Sequence, residues 1–334
     1  MRLFATLMFP ALLLSTPAGE PRAVTAASAL AAALPTVDHL GAAPTGEPAA
    51  SRVEPSSHAL AAELAPPSEP ALTAEPTLSP SAPVRVQARS GKVVLLPRGC
   101  ASASGRFDLV VHFHGAPARV TELFERSGLD AVLVVVNLGA GSGPYENTFA
   151  RPGSLDGFLA SVDAVLGRAC GRAPRQVKRL ALSSWSAGYG ATYRILSRAS
   201  DAARVDAVLL ADGLHVGFRG GFRKVDGLQL APFEQFAAAA ARGERLMAIS
   251  HSAIVPPRYA STTETAHYLL ASQGVTPARE REPGPRRGML EISRGDRGEL
   301  HVRGFAGTSP DAHADQLYAM GDTVLPFLVE RWRR

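Results

Sequence analysis

Residues 177–198 read V-K-R-L-A-L-S-S-W-S-A-G-Y-G-A-T-Y-R-I-L-S-R, a run that compresses a strand, a sharp turn and a helix. Leu180, Ala181 and Leu182 have the apolarity of a buried strand, and Tyr189, Tyr193 and Leu196 recur at helical spacing after Gly188. Ser186 falls on the junction, with the small residues Ser184 and Gly188 two positions to either side. A side chain carried on so tight a turn strains its own backbone, and the chain crosses close to itself there. Bulk two residues away would clash.

Strands and helices alternate on both sides of this run. Residues 84–88 and 92–96 suggest two short antiparallel strands, followed by F-D-L-V-V-H-F-H-G at 107–115 and a helix carrying Val120, Leu123 and Phe124. The Val-rich segment 131–137 suits a strand buried on both faces. It opens into a glycine-rich loop at 139–149, and Leu155, Phe158, Leu159, Val162, Val165 and Leu166 then mark an amphipathic helix. Past the central run, residues 205–211 form another apolar strand, ending at Asp212-Gly213. A helix at 232–241 leads to a strand at 245–249 that closes on Ser250-His251-Ser252, and residues 262–272 continue as helix. Gly274, Pro277, Pro283 and Pro285 mark an irregular connection before two closing strands at 290–292 and 300–302. The last helix begins at Ser309-Pro310, with Leu317, Met320, Val324 and Phe327 facing inward. This alternation predicts a mostly parallel sheet wrapped by helices on both faces. Chemistry in such sheets gathers beyond the carboxyl ends of the strands, which here groups His114, the loop after Asn137, Ser186, Asp212 and His251.

Composition divides the 334 residues unevenly. Arg2, an apolar run at 3–14 and small residues through Ala18 have the layout of a secretory signal, and the run is too short to span a membrane. Residues 19–82 are mainly Ala, Pro, Ser, Thr and Glu, too poor in large apolar side chains to offset chain entropy. The predicted organisation is a signal peptide at 1–18, a disordered linker at 19–82 suited to tethering across a cell-envelope layer, and a folded domain at 83–334 in a secreted or periplasmic protein. A net charge of +5 without interleaved aromatic residues argues against a nucleic-acid partner. The two cysteines, Cys100 and Cys170, exclude a cysteine-rich zinc module. No Lys follows the glycines of the 139–149 loop, so it is not a phosphate-cradling loop, and neither a cofactor nor a metal is predicted.

The S-x-S-x-G turn and the H-F-H-G run together resemble the α/β-hydrolase superfamily of serine esterases and lipases, over residues 84–334. The resemblance implies an α/β-hydrolase-like sheet, Ser186 as nucleophile, and a chain order of serine, acid, histidine. His313, in P-D-A-H-A-D-Q-L at the start of the last helix, takes the place of the base. The acid is assigned to Asp212 at the end of the strand after the turn, with Glu264 as runner-up; Asp311 and Asp315 stand too close in sequence to His313. The backbone N–H groups of Ala187 and Ala116 are the implied oxyanion donors. His114, Tyr145, Asn147 and His251 are the expected substrate contacts, and the polar segment 250–265 is expected to line the site. The superfamily's strand order makes neighbours of the strands at Phe107 and Val177, so Cys100 and Cys170 are expected to pair in a disulfide. The activity implied is hydrolysis of an ester or related acyl bond in a small or polymeric substrate, with oligomeric state left open. Two other readings stand beside it: a metal-dependent hydrolase using His112, His114, His215 and His251, and a non-catalytic envelope-binding protein on a hydrolase scaffold.

Overall fold

The computed structural model describes residues 105–168, 176–220 and 223–334 in full, and the backbone of 85–88, 92–95 and 169–170. The expected signal peptide, the linker, Cys100 and the side chain of Cys170 lie outside the described residues, and with them the expected disulfide.

Two short antiparallel strands, β1 (Arg85–Ala88) and β2 (Lys92–Leu95), precede β3 (Arg106–Phe113). Helix α1 (Pro117–Ser127), opened by a proline and closed by Gly128 in the left-handed region, leads to β4 (Val132–Val136). Two helices follow, α2 (Gly143–Thr148) and α3 (Ser154–Cys170). Then comes β5 (Gln176–Trp185), a single 3₁₀ turn at Ser186–Gly188, and helices α4 (Tyr189–Leu196) and α5 (Ala199–Ala202). Beyond β6 (Val205–Ala211) lie α6 (Gly227–Ala241), β7 (Leu246–His251) and α7 (Thr262–Ser272). The chain closes with β8 (Ala278–Pro283), β9 (Leu290–Arg297), β10 (Leu300–Phe305) and the helices α8 (Pro310–Tyr318), α9 (Met320–Thr323) and α10 (Leu325–Arg333).

All the strands join one 10-stranded sheet in the order β1-β2-β4-β3-β5-β6-β7-β10-β9-β8. From β4 through β10 the neighbouring pairs are parallel, and the ends of the sheet are antiparallel. Alternate residues of each strand feed opposite faces. Val111, Val134, Leu182, Leu210 and Ile249 pack with α3, α4, α6 and α7. Val110, Val135, Ala181, Leu209 and Ala248 pack with α1 and the carboxyl-terminal helices. The mostly parallel sheet covered on both faces is the α/β-hydrolase architecture expected from the sequence.

Three elements differ from expectation. The 139–149 segment is not wholly loop, because residues 143–148 wind into α2 and bury Tyr145 completely. The proline-flanked connection after α7 contains β8, a charged edge strand whose side chains are largely exposed. The final helix is three successive helices, with Leu317, Met320 and Val324 buried as expected. Among the described residues no helix is long and apolar enough to cross a membrane.

Candidate active site

Three non-glycine residues among those described have positive φ: His114 at 71°, Ser186 at 49° and Asp212 at 43°. They follow the carboxyl ends of β3, β5 and β6, three adjacent strands. A residue with a side chain adopts this region at a cost, so such strain persists only where surrounding packing imposes it.

The packing that imposes it at Ser186 can be named. A Cβ built on Gly188 would stand 2.1 Å from the carbonyl oxygen of Phe113, although the φ of Gly188 is an ordinary −61°. Glycine is required there for space alone. On the other side, a Cβ on Gly213 would lie 2.4 Å from the carbonyl oxygen of Ser186. The turn is therefore clamped between the end of β3 and the backbone just after Asp212. Ser184, fully buried between Phe113 and Leu210 in the ladder, takes the remaining small position.

This clamp brings together residues far apart in the chain. Ser186 Oγ lies 2.8 Å from His313 Nε2, and His313 Nδ1 lies 2.7 Å from Asp212 Oδ2. Asp212 also accepts from Ser252 N at 3.0 Å, from Ser252 Oγ at 2.7 Å and from the Thr262 hydroxyl. Burial works to raise the Asp212 pKa, but the hydrogen bonds from His313, Thr262 and Ser252 outweigh it and hold the carboxyl below its usual range. An ionised carboxylate only accepts, so the proton bridging it to His313 sits on Nδ1. Nε2 is then a bare acceptor for the Ser186 hydroxyl.

His313 enters from the first turns of α8, whose cap is the Ser309 side chain. Trp185, one residue before the turn, holds it in place: the indole N–H donates to the His313 carbonyl at 3.1 Å and the two rings lie 4.9 Å apart. Trp185 also stacks on His114, with ring centroids 5.0 Å apart.

The remaining sequence-predicted residues divide into those near the turn and those elsewhere. Ala187 belongs to the 3₁₀ turn, and Ala116 is the extended residue before α1. Both stand at helix starts, where backbone N–H groups lack intrahelical partners. His114 bonds the Tyr145 hydroxyl at 2.8 Å through Nδ1. Tyr145 also accepts from Leu138 N at 3.0 Å and donates within reach of Asn137 Oδ1 and the Gly139 carbonyl. It fastens the loop after β4 rather than lining a cleft. Asn147 is exposed on α2, and His251 is 1 % exposed, in the core. The structure brings neither to Ser186. Burial pulls the His251 pKa down to about 4. Its Nδ1 reaches the Ser252 carbonyl at 3.1 Å, so it stands behind the residue that bonds Asp212.

Glu264, the alternative acid, closes a capping box on Ser261 and pairs with Arg223 at 2.9 Å. Asp315 pairs with Arg286. His112, His114, His215 and His251 do not converge: His112 is buried between Ser183 Oγ and the His114 carbonyl, 2.8 and 2.7 Å away. A carbonyl only accepts, so His112 carries its proton on Nε2. Among the described residues no group of three or more His, Cys, Asp or Glu side chains is arranged to hold a metal ion.

An open cleft of about 280 Å³ has Ser186, His313 and Asp212 in its wall, together with His215, Ile254, Pro256, Tyr259, Thr262, Thr308 and Pro310. The segment 250–265 thus borders the site as expected. Trp185, Ser252 and Thr262 were not singled out from the sequence, and only their placement beside a turn or in that polar segment hinted at them.

Strand order, the strained serine turn and its histidine partner define an α/β-hydrolase fold. No family model and no curated protein sequence matches the chain. Solved structures similar to it include an acetyl xylan esterase from Aspergillus awamori, at 12% identity and a TM-score of 0.37 over 71% of this chain and 99% of that one. The siderophore hydrolase EstB from Aspergillus nidulans is 13% identical, with a TM-score of 0.41 over 78% and 99%. A thermophilic esterase from Thermogutta terrifontis is 13% identical, with a TM-score of 0.42 over 75% and 92%. At these values the strand order, not the likeness, carries the fold assignment.

Proposed function

We propose that the protein is a serine hydrolase that cleaves a carboxylic ester through Ser186, His313 and Asp212. The observation that carries this reading is the continuous hydrogen-bonded path from Ser186 Oγ through both ring nitrogens of His313 to the Asp212 carboxylate. A serine hydroxyl is a weak nucleophile near neutral pH, and the bare Nε2 is placed to take its proton as Oγ attacks the substrate carbonyl. The resulting imidazolium is stabilised by Asp212, whose charge is undiminished by any Lys or Arg partner among the described residues. The N–H groups of Ala187 and Ala116 serve the oxyanion. His313 then returns the proton to the departing alcohol, and water activated by the same nitrogen releases the acyl group.

Fluorophosphonate labelling followed by peptide mapping tests this directly. The label is expected on Ser186, and Ser186→Ala should abolish both labelling and hydrolysis of short-chain nitrophenyl esters. Labelling of Ser184, or turnover that survives Ser186→Ala and is lost with a chelator, would sink the assignment.

The proposal includes export to an oxidising compartment, supported by the composition of residues 1–82 and by the pair Cys100 and Cys170. Amino-terminal sequencing of the exported chain should begin after Ala18, and its unreduced form should contain no free thiol.

A further inference from the structure

The cleft beside Ser186 is walled mainly by flat, uncharged surfaces. Tyr259 and His215 meet edge to face, with ring centroids 5.1 Å apart at 71°. His215 meets Tyr189 in the same way behind it, at 5.5 Å and 83°. This herringbone of rings ends in Tyr259, which is 43% exposed at the mouth. Pro256, Pro310 and Ile254 supply the remaining apolar wall.

Charge is confined to the floor. The acidic and imidazole groups of the lining are Asp212 and His313, bound to one another, and His215, whose pKa burial lowers. A charged substrate group would lose its hydration here without gaining a counter-ion, which is costly. An aromatic ring instead gains edge-to-face contact with Tyr259 or His215 and flat contact with the prolines.

The exposed apolar residues point to the same place. Of the four large hydrophobic side chains exposed among the described residues, Val255 and Tyr259 lie on the single loop between β7 and α7 that borders the cleft. Exposed apolar groups gathered at the edge of a cavity mark a binding surface.

We propose that this cleft binds an uncharged aromatic group of the substrate, with Tyr259 and His215 as the specificity-determining residues. The inference rests on the ester-hydrolase reading of the site and names its substrate class. The ring can belong to the acyl or to the alcohol part of the ester.

The test compares esters of equal carbon number: methyl 3-phenylpropanoate against methyl nonanoate, and 2-phenylethyl acetate against octyl acetate. One or both aryl esters should exceed the aliphatic partner in kcat/KM by about tenfold, as expected for one or two ring contacts; the pair that shows it tells which part carries the ring. Tyr259→Leu should remove most of that preference, lowering kcat/KM for the aryl ester several-fold more than for its aliphatic partner. His215→Leu, which keeps the wall apolar but removes its ring, should reduce it as well. Aliphatic preference in both pairs, or an aryl preference untouched by both substitutions, would overturn the proposal. If none of the esters is turned over, the hydrolase reading falls by itself. Saturation-transfer NMR of the Ser186→Ala protein with 3-phenylpropanamide and nonanamide then decides the cleft: ring-proton transfer that Tyr259→Leu abolishes supports it, and equal transfer to both amides overturns it.

Discussion

The two ends of the parallel strands treat their carboxylates in opposite ways. Near the amino-terminal ends, Asp108 pairs with Arg179 directly across the β3–β5 ladder, at 3.0 and 2.5 Å. Asp206 accepts from Arg331 at 3.0 Å and from the Trp332 indole at 2.7 Å. Arg179 also bonds the Trp332 carbonyl and lies over its ring, so these charges fasten α10 to the sheet. At the carboxyl-terminal ends, Asp212 is held by hydroxyl and backbone donors, and its single cationic partner is a histidine that becomes charged only when it takes a proton. One end neutralises its carboxylates and converts them to structure. The other keeps a carboxylate ionised by neutral donors, so that its field acts on His313.

Exchanging one carboxylate for an amide at each end should separate these roles. Asp212→Asn is expected to lower kcat by roughly 10³–10⁴-fold with little change in KM, because the loss falls on the charged imidazolium of the transition state. Asp206→Asn should leave kcat within about twofold and reduce stability by about 1–3 kcal/mol through the weakened Arg331 contact. Steady-state kinetics and urea denaturation on both variants decide it; equal loss of kcat in both would erase the contrast.

A second contrast is between conformation and space. Gly188 has an ordinary φ, so Gly188→Ala imposes no backbone penalty, yet its Cβ meets the Phe113 carbonyl. We expect a loss of about 3 kcal/mol or more of stability, or an insoluble chain, as for overpacking against a backbone that cannot yield. Gly139→Ala, where no atom lies within 4 Å of the added Cβ but φ is 87°, should cost about 1 kcal/mol. Comparable thermal midpoints for the two would show that the turn at Ser186 is not clamped as described.

Ser252 sharpens the contrast from the side of the acid. It donates twice to Asp212, once from each of its N–H and O–H groups, and His251 and Thr263 both bond its carbonyl. Ser252→Ala should reduce kcat by roughly 10- to 100-fold with KM nearly unchanged, since removal of one donor to a charged group costs about 1.5–3 kcal/mol. Ser252→Thr, which restores the hydroxyl, should recover most of it. A loss that Thr does not recover would assign Ser252 to packing.

The parts of this arrangement legible in the sequence are those that end strands. Ser186, Asp212 and the H-F-H-G run each stand where an apolar run meets small residues, and His313 follows the last strand. The sheet was legible because its buried strands are long and Val-rich. Strand β8 was not, because A-R-E-R-E-P carries neither alternation nor apolarity and pairs on one side only. The side chains that support the site were hidden for a different reason: Trp185 meets His313 across 128 residues and Thr262 meets Asp212 across 50. No local pattern encodes such contacts. Tyr145 and His251 show the converse, since polar side chains beside a loop read as substrate contacts and only burial reveals them as framework.

A pH-dependent effect on stability is expected from the histidines of that framework. Burial pulls the His112 pKa down to about 3 and that of His251 to about 4, whereas both titrate near ~6.5 in an unfolded chain. Between those values the unfolded chain binds protons that the folded chain refuses, so folding stability rises with pH across that window. The contribution is fully present above about pH 6.5 and is lost as pH falls toward the folded-state values. Asp212 acts in the same direction only below about pH 4, where an unfolded aspartate begins to take up protons. Each histidine accordingly removes on the order of 1.4 kcal/mol per pH unit, or roughly 2 kcal/mol by pH 5. His114, His215 and His267, lowered by burial as well, act in the same direction, so urea midpoints should be level between pH 8 and 7 and fall steadily from 6.5 to 5, and His112→Asn should make that fall measurably shallower. A midpoint unchanged down to pH 5 would mean that these two rings are open to protons in the folded protein, and that the framework behind Ser186 and Asp212 is looser than their geometry implies.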